Sequence, residues 1–338
     1  MRVLYHLTIP QPLAPELDAI VQEVEALRAA AGGEIIYVNP TRYHGSRFPE
    51  RLYGLHRLPD LLRRETDIDV HHIYNARPYL FPYLRLLRKP VVYTVAAGLR
   101  STERSRDRDR LAALARIIVN STRDLETLRG WGLRNVELIR PGIDVSRFRP
   151  APPPADPPFT LLMGSAPWTL DQFGSKGVDA LLQAVQARSD LRLVFLWRGL
   201  LYEEMQRRIA QAELGQRVTI INQHVDVNDV LAQVHAAVVL AHDATLVKAY
   251  PHSLMEALAA GRPVLISRAI PMADTVEQTH CGQIVDAVDA RSVLDALARL
   301  KVNYESHRRA ALAVGQRDFS RQVCIEAHLR LYASVQTR

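Results

Sequence analysis

The segment at 248–263, K-A-Y-P-H-S-L-M-E-A-L-A-A-G-R-P, has the residue types and spacing of an anion-binding helix start. It predicts a loop, a helix opened by Ser253, a stop at Gly261 and then a buried strand. The first backbone N–H groups of a helix lack intrahelical partners and carry the positive end of its dipole, so they can bind a diphosphate. Glu256 lies one turn inside and could accept hydrogen bonds from a ribose diol. The amides expected at the helix start are those of His252, Ser253 and Leu254.

The same spacing has a purely structural interpretation. Ser253-x-x-Glu256 matches a capping box, in which the glutamate accepts a hydrogen bond from the N–H of the capping residue. Residue types and spacing alone leave both interpretations open.

Short apolar runs alternate with longer amphipathic stretches along the chain, which predicts βα units building parallel sheets, an α/β fold. Strands are predicted at 3–7, 34–38, 70–73, 91–95, 117–119, 136–139, 159–163, 191–196, 218–221, 237–240, 264–266 and 283–285. Helical patterns cover 15–31, 77–88, 122–130, 177–187, 202–214, 228–234, 253–260, 290–302 and the tail 303–336. Ligands of such sheets bind at the carboxyl ends of the strands, so the chemistry should lie in the loops that follow them.

The length of 338 residues favours two domains. The stretch 149–158, R-P-A-P-P-P-A-D-P-P, contains six prolines, which prevent helix and central strand, and it is interpreted as the linker. We therefore expect a Rossmann-like domain at 1–150, a linker at 151–158 and a second Rossmann-like domain at 159–316. A C-terminal helix at 317–338 is expected to return to the first domain.

Positive charge is concentrated in the first half. Residues 1–150 contain 24 Lys+Arg and 17 Asp+Glu, whereas the rest of the chain contains 19 of each. This asymmetry favours an anionic partner, such as a lipid-phosphate acceptor or an anionic membrane. Arginine used only for solubility is the alternative. Nucleic acid is not expected, because the basic residues are not interleaved with aromatics.

The two cysteines are too few for a disulfide framework or a zinc cluster, and no run is long and apolar enough to span a membrane. No secretory signal precedes the first predicted strand. We expect a cytoplasmic protein that could associate peripherally with the membrane.

Seven segments of the chain carry a family resemblance: 69–76, 90–98, 138–150, 164–182, 248–263, 273–277 and 281–285. Together they resemble the family 4 glycosyltransferases. The resemblance implies the GT-B fold, two Rossmann-like domains facing across a cleft. It also implies transfer of a sugar from a nucleotide diphosphate-sugar to an acceptor glycan, lipid or small molecule, with retention of configuration and without a metal or other cofactor.

The resemblance assigns roles to several positions. Lys176 matches the lysine that contacts the diphosphate, and Glu256 matches the second glutamate of a Glu-x7-Glu pair, which binds the ribose. Gly164, Ser165 and Ala166 match the loop around the phosphates. The acceptor hydroxyl would attack from the face that the leaving group departs, and a leaving phosphate oxygen would take its proton.

This chain departs from the family where the first glutamate of the pair is replaced by Lys248. Lys248 could contact an acidic donor sugar or the diphosphate. Alternatively, the sugar contact is lost and the protein is a catalytically degenerate binding protein. The arginine that usually follows Gly164 is also absent, and Arg198 is a candidate substitute.

Acceptor-binding candidates lie near the ends of the first-half strands: His6, His72, Asn75 and Ala97. The family often carries a histidine after the strand at 91–95, where this chain has Ala96 and Ala97. Arg100 and Arg104 share a helical face at four-residue spacing and could bind an acceptor phosphate or lipid headgroups. A solvated helix supported by internal ion pairs is the alternative.

Overall fold

The computed structural model describes residues 1–12, 15, 18–41, 49–99, 108–155, 157–197 and 200–336, the last without its side chain. The chain divides into two compact units. The first unit comprises Met1–Gly142 and Arg321–Arg338, and the second comprises Ile143–Ser320.

A six-stranded sheet of parallel strands forms the centre of the first unit, in the order β2-β1-β3-β4-β5-β6. Its strands are β1 (Val3–Leu7), β2 (Gly33–Tyr37), β3 (Val70–Asn75), β4 (Val91–Val95), β5 (Arg116–Val119) and β6 (Val136–Leu138). The inner strands are buried on both faces, as expected for a parallel sheet that is covered on both sides, although β1 and β3 also bury histidines.

The first unit's α-helices are α1 (Ala19–Ala31), α2 (Leu58–Arg64), α3 (Arg108–Ala112), α4 (Thr122–Gly130) and the C-terminal α13 (Arg321–Gln336). Short 3-10 helices occupy Glu50–Leu52, Leu55–Arg57 and Pro82–Leu86. The helix predicted at 77–88 is wrong, because Pro78 and Pro82 remove amide donors from a continuous helix. Buried side chains of α13, including Tyr332, pack with α1 and one face of the sheet.

The second unit has its own six-stranded parallel sheet, in the order β12-β11-β10-β7-β8-β9. Its strands are β7 (Phe159–Met163), β8 (Leu191–Leu196), β9 (Val218–Ile221), β10 (Ala236–Val239), β11 (Val264–Ser267) and β12 (Gly282–Val285). Strand β10 is a parallel neighbour of β7, so the loops that follow these two strands leave the sheet side by side.

The helices of the second unit surround this sheet. They are α5 (Gln172–Ser175), α6 (Val178–Ala187), α7 (Tyr202–Gln211), α8 (Val227–Ala232), α9 (His252–Ala259), α10 (Met272–Thr279), α11 (Ala290–Val302) and α12 (Tyr304–Asp318), with a 3-10 helix at Val145–Arg147. The predicted α/β class is confirmed by the two parallel sheets.

The proline-rich stretch does not form the boundary between the units, which lies between Gly142 and Ile143. It belongs to the second unit. The guanidinium of Arg262, which is 1% exposed, donates to the carbonyl oxygens of Ala151 and Pro152 at 3.0 and 3.1 Å. Prolines lack amide donors but keep their carbonyl acceptors, so a buried arginine can fix such a segment.

Within the described ranges, no helix has both the length and the apolarity needed to cross a membrane.

Candidate functional site

The loop after β7 and the first turn of α9 are in direct contact in the second unit. A Cβ atom added at Gly164 would lie 3.0 Å from the Cβ of Ser253, which is tighter than most real contacts. Glycine at 164 therefore allows the β7 loop to approach the amides that open α9. The structure brings together Gly164 and Ser253, two of the predicted donor-binding residues.

Lys176 reaches the same loop from the end of α5. Its side chain is buried, with 5% exposure, and its Nζ donates to the carbonyl oxygen of Ala166 at 3.2 Å. Burial lowers the pKa of Lys176 to about 8, because desolvation disfavours the charged ammonium. An anion bound beside this ammonium would offset that cost.

Gly177, which follows Lys176, packs closely against Leu240 just after β10. It has a left-handed backbone conformation, with φ of +72°, and an added Cβ would lie 2.6 Å from Cδ1 of Leu240. The carbonyl oxygen of Ser175 accepts a hydrogen bond from the His242 amide at 2.9 Å. The loops after β7 and β10 are thus fixed to each other.

The capping box predicted at the start of α9 does not form. The residue at the N-cap is Pro251, which makes no side-chain hydrogen bond and has no N–H for Glu256 to reach. The amides of Leu254 and Met255 both donate to the Pro251 carbonyl oxygen, at 3.1 and 3.2 Å. Ser253 is inside the helix rather than at its cap, so the structural interpretation of this spacing loses its support.

Helix α9 is held rigidly from behind by α12. A Cβ at Gly315 would lie 2.3 Å from the backbone nitrogen of Ala259, so only glycine permits the helices to pack this closely. Ahead of α9, the Tyr250 hydroxyl and Thr275 Oγ1 are hydrogen-bonded at 2.7 Å. The orientation of the α9 N-terminus is therefore fixed by packing on both sides.

The other predicted donor-binding residues lie on the same elements or outside the described residues. Ser165 is half-buried in the β7 loop, Lys248 is half-buried in the loop before α9, and His252 and Glu256 are half-buried on α9 itself. Leu254 does not offer a free amide as predicted, because its N–H donates to the Pro251 carbonyl oxygen, and its side chain is buried. Arg198 lies outside the described residues.

Two predicted acceptor contacts, His6 and His72, are corrected by the structure. Both side chains are fully buried, because they point into the two covered faces of the first sheet. His6 is hydrogen-bonded to the Tyr83 hydroxyl at 3.1 Å and to His71, and His72 to Thr94 at 2.7 Å. Burial lowers the pKa of each imidazole well below its usual value. Neither side chain can contact an acceptor.

The Asn75 side chain is hydrogen-bonded within the first unit and is not presented to an acceptor. Its side chain is 6% exposed, accepts a hydrogen bond from Thr8 Oγ1 at 2.7 Å and donates to the Tyr93 hydroxyl at 2.9 Å. Ala97 is buried, whereas Arg100 and Arg104 lie outside the described residues.

Comparisons with known proteins identify the family of this chain. The family described as "Glycosyl transferases group 1" matches residues 171–314, and "Glycosyltransferase Family 4" matches residues 14–147. The chain belongs to the GT-B-fold glycosyltransferases, and is family 4-like. No curated protein sequence matches it.

Solved structures share the fold of this glycosyltransferase at low sequence identity. Sucrose-phosphate synthase from Thermosynechococcus elongatus is 17% identical, with a TM-score of 0.74 and full coverage of both chains, 100% each. Anabaena HepE in complex with UDP is 15% identical, with a TM-score of 0.69, covering 99% of this chain and 100% of its own. WaaG, a glycosyltransferase involved in lipopolysaccharide biosynthesis, is 15% identical, with a TM-score of 0.67 and coverage of 97% and 99%.

The first unit of the glycosyltransferase contains a cavity that the sequence did not indicate. It measures about 850 Å³ and opens where the chain leaves β1 and β2. Sequence periodicity locates buried faces but not the space between loops, so no sequence signal pointed to it. The lining residues are Gln11, Pro12, Tyr37, Asn39, Pro40, Thr41, His56, Arg57, Pro59, Asp60 and Arg63.

Among the residues that the structure describes, no group of three or more His, Cys, Asp or Glu side chains could hold a metal ion. Two positive groups, the Lys176 ammonium and the amide end of α9, contact the β7 loop.

Proposed function

We propose that this glycosyltransferase takes its sugar from a nucleoside diphosphate-sugar and binds the diphosphate between Lys176 and the start of α9. The main support is the buried Lys176 ammonium, which lies 3.2 Å from the carbonyl oxygen of Ala166. Ala166 belongs to the loop after β7, and this loop contacts Ser253 at the start of α9. A buried cation whose pKa is lowered by desolvation is a costly feature, and an anionic ligand explains its presence. Glu256, one turn along α9, is proposed to accept hydrogen bonds from the ribose.

The proposed reaction retains the configuration of the transferred sugar. The acceptor oxygen forms a bond to the anomeric carbon on the face from which the diphosphate departs. The bond between that carbon and the phosphate oxygen breaks, and the departing oxygen takes the acceptor's proton. Lys176 and the α9 amides stabilise the charge that develops on the leaving diphosphate. This path needs no protein base.

Lys248 is proposed to select the donor sugar. It lies half-buried in the loop that leads into α9, and an ammonium cannot accept hydrogen bonds from sugar hydroxyls. A carboxylate on the sugar would form an ion pair with it. We therefore propose a donor with an acidic sugar, such as a hexuronate.

The donor proposal is tested by ligand-induced thermal stabilisation. HepE is solved with UDP, which makes UDP a suitable probe. UDP at ~100 times its dissociation constant is expected to add about 2.7 kcal/mol of stability, because it binds only the folded protein. UDP-glucuronate should stabilise the protein more than UDP-glucose does.

The variant Lys248→Gln is the control for sugar selection. It should bind UDP as the wild type does and lose the preference for UDP-glucuronate. If neither UDP nor any other nucleoside diphosphate raised the melting temperature, the donor site would be refuted. Binding of a nucleotide sugar without turnover would favour a catalytically degenerate protein. An unchanged preference in Lys248→Gln would refute only the role of Lys248.

The acceptor is proposed to bind at the cavity of the first unit. Arg57 and Arg63 lie in its wall and both pair with Asp60, at 3.2 and 3.7 Å, so the two arginines and one aspartate leave a net positive charge there. Those arginines suit an acceptor that carries an anionic group, consistent with the excess positive charge of residues 1–150.

A basic surface of the first unit is proposed to contact an anionic membrane from the cytoplasmic side. The 3-10 helices Glu50–Leu52 and Pro82–Leu86 touch each other and present Leu52 and Leu86, 37% and 50% exposed. We name this region the basic leucine surface, and its exposed cations are Arg51, Arg85, Arg88 and Lys89. Exposed leucines among cations suit insertion between anionic headgroups.

Vesicle sedimentation tests the basic leucine surface. The protein is expected to bind phosphatidylglycerol-containing vesicles and not pure phosphatidylcholine vesicles. The triple variant Arg85→Glu, Arg88→Glu, Lys89→Glu should bind ~100-fold more weakly, since each basic residue near the surface contributes about 1 kcal/mol.

Exposed arginines of the second unit provide the matched control. The variant Arg192→Glu, Arg207→Glu, Arg291→Glu makes the same change in net charge and should keep its vesicle binding. Equal losses in both triple variants would show that net charge, and not this surface, attracts the protein to the vesicles.

A further inference from the structure

The loops after β7 and β8 expose large apolar side chains beside the proposed diphosphate site. Trp168 and Leu170 on the first loop are 55% and 59% exposed, and Leu200 on the second is 42% exposed. Strands β7 and β8 are parallel neighbours, with Met163 paired to Phe195, so both loops leave the sheet at the same edge. This edge also carries Gly164.

The backbone that presents Trp168 is ordered. The Trp168 amide donates to Oε1 of Gln172 at 2.8 Å, and the preceding Pro167 is buried. The two loops are also joined beneath the surface, because the rings of Phe173 and Trp197 lie 5.8 Å apart. Trp197 in turn donates its indole N–H to the Leu200 carbonyl oxygen at 3.1 Å. An indole held on a fixed loop and exposed to solvent is suited to binding a ligand, because little entropy is lost when the ligand covers it.

The backbone of Trp168 lies close to the proposed diphosphate site. It follows Ala166 by two residues, so their Cα atoms are at most about 7.6 Å apart. The Ala166 carbonyl oxygen is the group that holds the Lys176 ammonium. In the proposed reaction the donor sugar is bonded to the end of the diphosphate, and the acceptor attacks at that bond. The sugar rings therefore lie next to the diphosphate.

We propose that Trp168, with Leu170 beside it, forms a stacking surface for a sugar ring of the substrate. The C–H groups on one face of a pyranose are apolar and slightly positive, and they pack on the negative face of an indole. This inference rests on the proposed diphosphate site, which locates the sugar. The ring belongs to the donor or to the acceptor, and the two sources are separated by experiment.

The test compares Trp168→Ala, Trp168→Phe and the wild type in two binding assays. In the donor assay, calorimetry measures the affinity for UDP, UDP-glucose and UDP-glucuronate. Stacking on the donor sugar predicts that Trp168→Ala binds the nucleotide sugars ~3- to 10-fold more weakly and binds UDP unchanged. In the acceptor assay, labelled protein is applied to immobilised glycans with and without UDP. Stacking on the acceptor predicts glycan binding that Trp168→Ala loses.

Trp168→Phe should keep most of the binding in the affected assay, since it preserves an aromatic face. Val302→Ala removes an 80% exposed apolar side chain elsewhere in the same unit and should bind as the wild type does. Trp168→Ala with wild-type affinity in both assays would overturn the proposal. A wild-type protein that binds no nucleotide would instead refute the diphosphate site, and its glycan assay without UDP would still test Trp168.

Discussion

Replacing Lys176 by methionine is expected to reduce sugar transfer by ~100-fold or more, because its buried ammonium is proposed to stabilise the leaving diphosphate. The same variant should be more stable than the wild type when no ligand is bound. At ~1.4 kcal/mol per pKa unit, lowering the pKa from 10.5 to about 8 corresponds to a cost of about 3 kcal/mol for the buried charge. Methionine fills the space without that cost. Initial rates and thermal unfolding at pH 7 measure the two effects.

The pH dependence gives this prediction a second readout. The lowered pKa means that Lys176 binds more protons in the unfolded chain than in the folded chain between pH 8 and 10.5, so the stability of the wild type relative to Lys176→Met should rise across that window. Affinity of the wild type for UDP should fall as the pH rises above about 8, because the ammonium loses its proton. Lys176→Met should not show this fall in affinity.

Lys301→Met is the matched control for Lys176. Lys301 lies on α11 and pairs with Asp190 at 3.5 Å, so its replacement should leave transfer unchanged. Wild-type activity in Lys176→Met would remove the ammonium from the mechanism. A loss of activity with no gain in stability would argue against the unfavourable burial of its charge.

Replacing Glu256 by alanine is expected to weaken nucleotide binding by ~10- to 100-fold. A hydrogen bond to a charged group contributes about 1.5–3 kcal/mol, and the carboxylate is proposed to accept such bonds from the ribose diol. Calorimetry with UDP and with 2′-deoxy-UDP measures the coupling. The penalty of Glu256→Ala should be smaller with 2′-deoxy-UDP, which lacks one of the hydroxyl donors.

The alternative role of Glu256 predicts a different outcome. If Glu256 supported the helix start, Glu256→Ala would lower the melting temperature and leave nucleotide affinity unchanged. Pro251 at the N-cap has no N–H that could donate to the Glu256 carboxylate, so we expect no such loss of capping energy. Glu305→Ala, an exposed glutamate on α12, controls for the change in charge.

Most elements of the fold could be predicted from the sequence. Strands β1, β4, β7, β8 and β9 have the predicted bounds, because short apolar runs end at turn residues or at polar positions. The region around Pro82 could not be predicted in the same way, since its amphipathic pattern conflicts with its prolines. The prolines determined the local structure there, whereas hydrophobic periodicity wrongly predicted a continuous helix.

The candidate site was only partly predictable. The residues expected on the β7 loop and on α9 lie on those elements, because a parallel strand is followed by its loop and helix in sequence order. The burial of the predicted acceptor contacts was not predictable, because strand ends in a sheet covered on both faces hold buried side chains as well as exposed ones. His6 and Asn75 lie in β1 and β3, and both are buried.

The sequence by itself determined the two parallel sheets, the order of their elements along the chain and the lysine, glycine and glutamate positions that are proposed to bind an anionic ligand. Only the tertiary structure decided that Pro251 caps α9, that Lys176 is buried against the Ala166 carbonyl, and that the proline-rich stretch packs on Arg262. Hydrophobic periodicity and turn residues are local properties, so a sequence displays them directly. Burial of a charge and close approach of two backbones depend on segments far apart in the chain, and they exist only once the chain has folded.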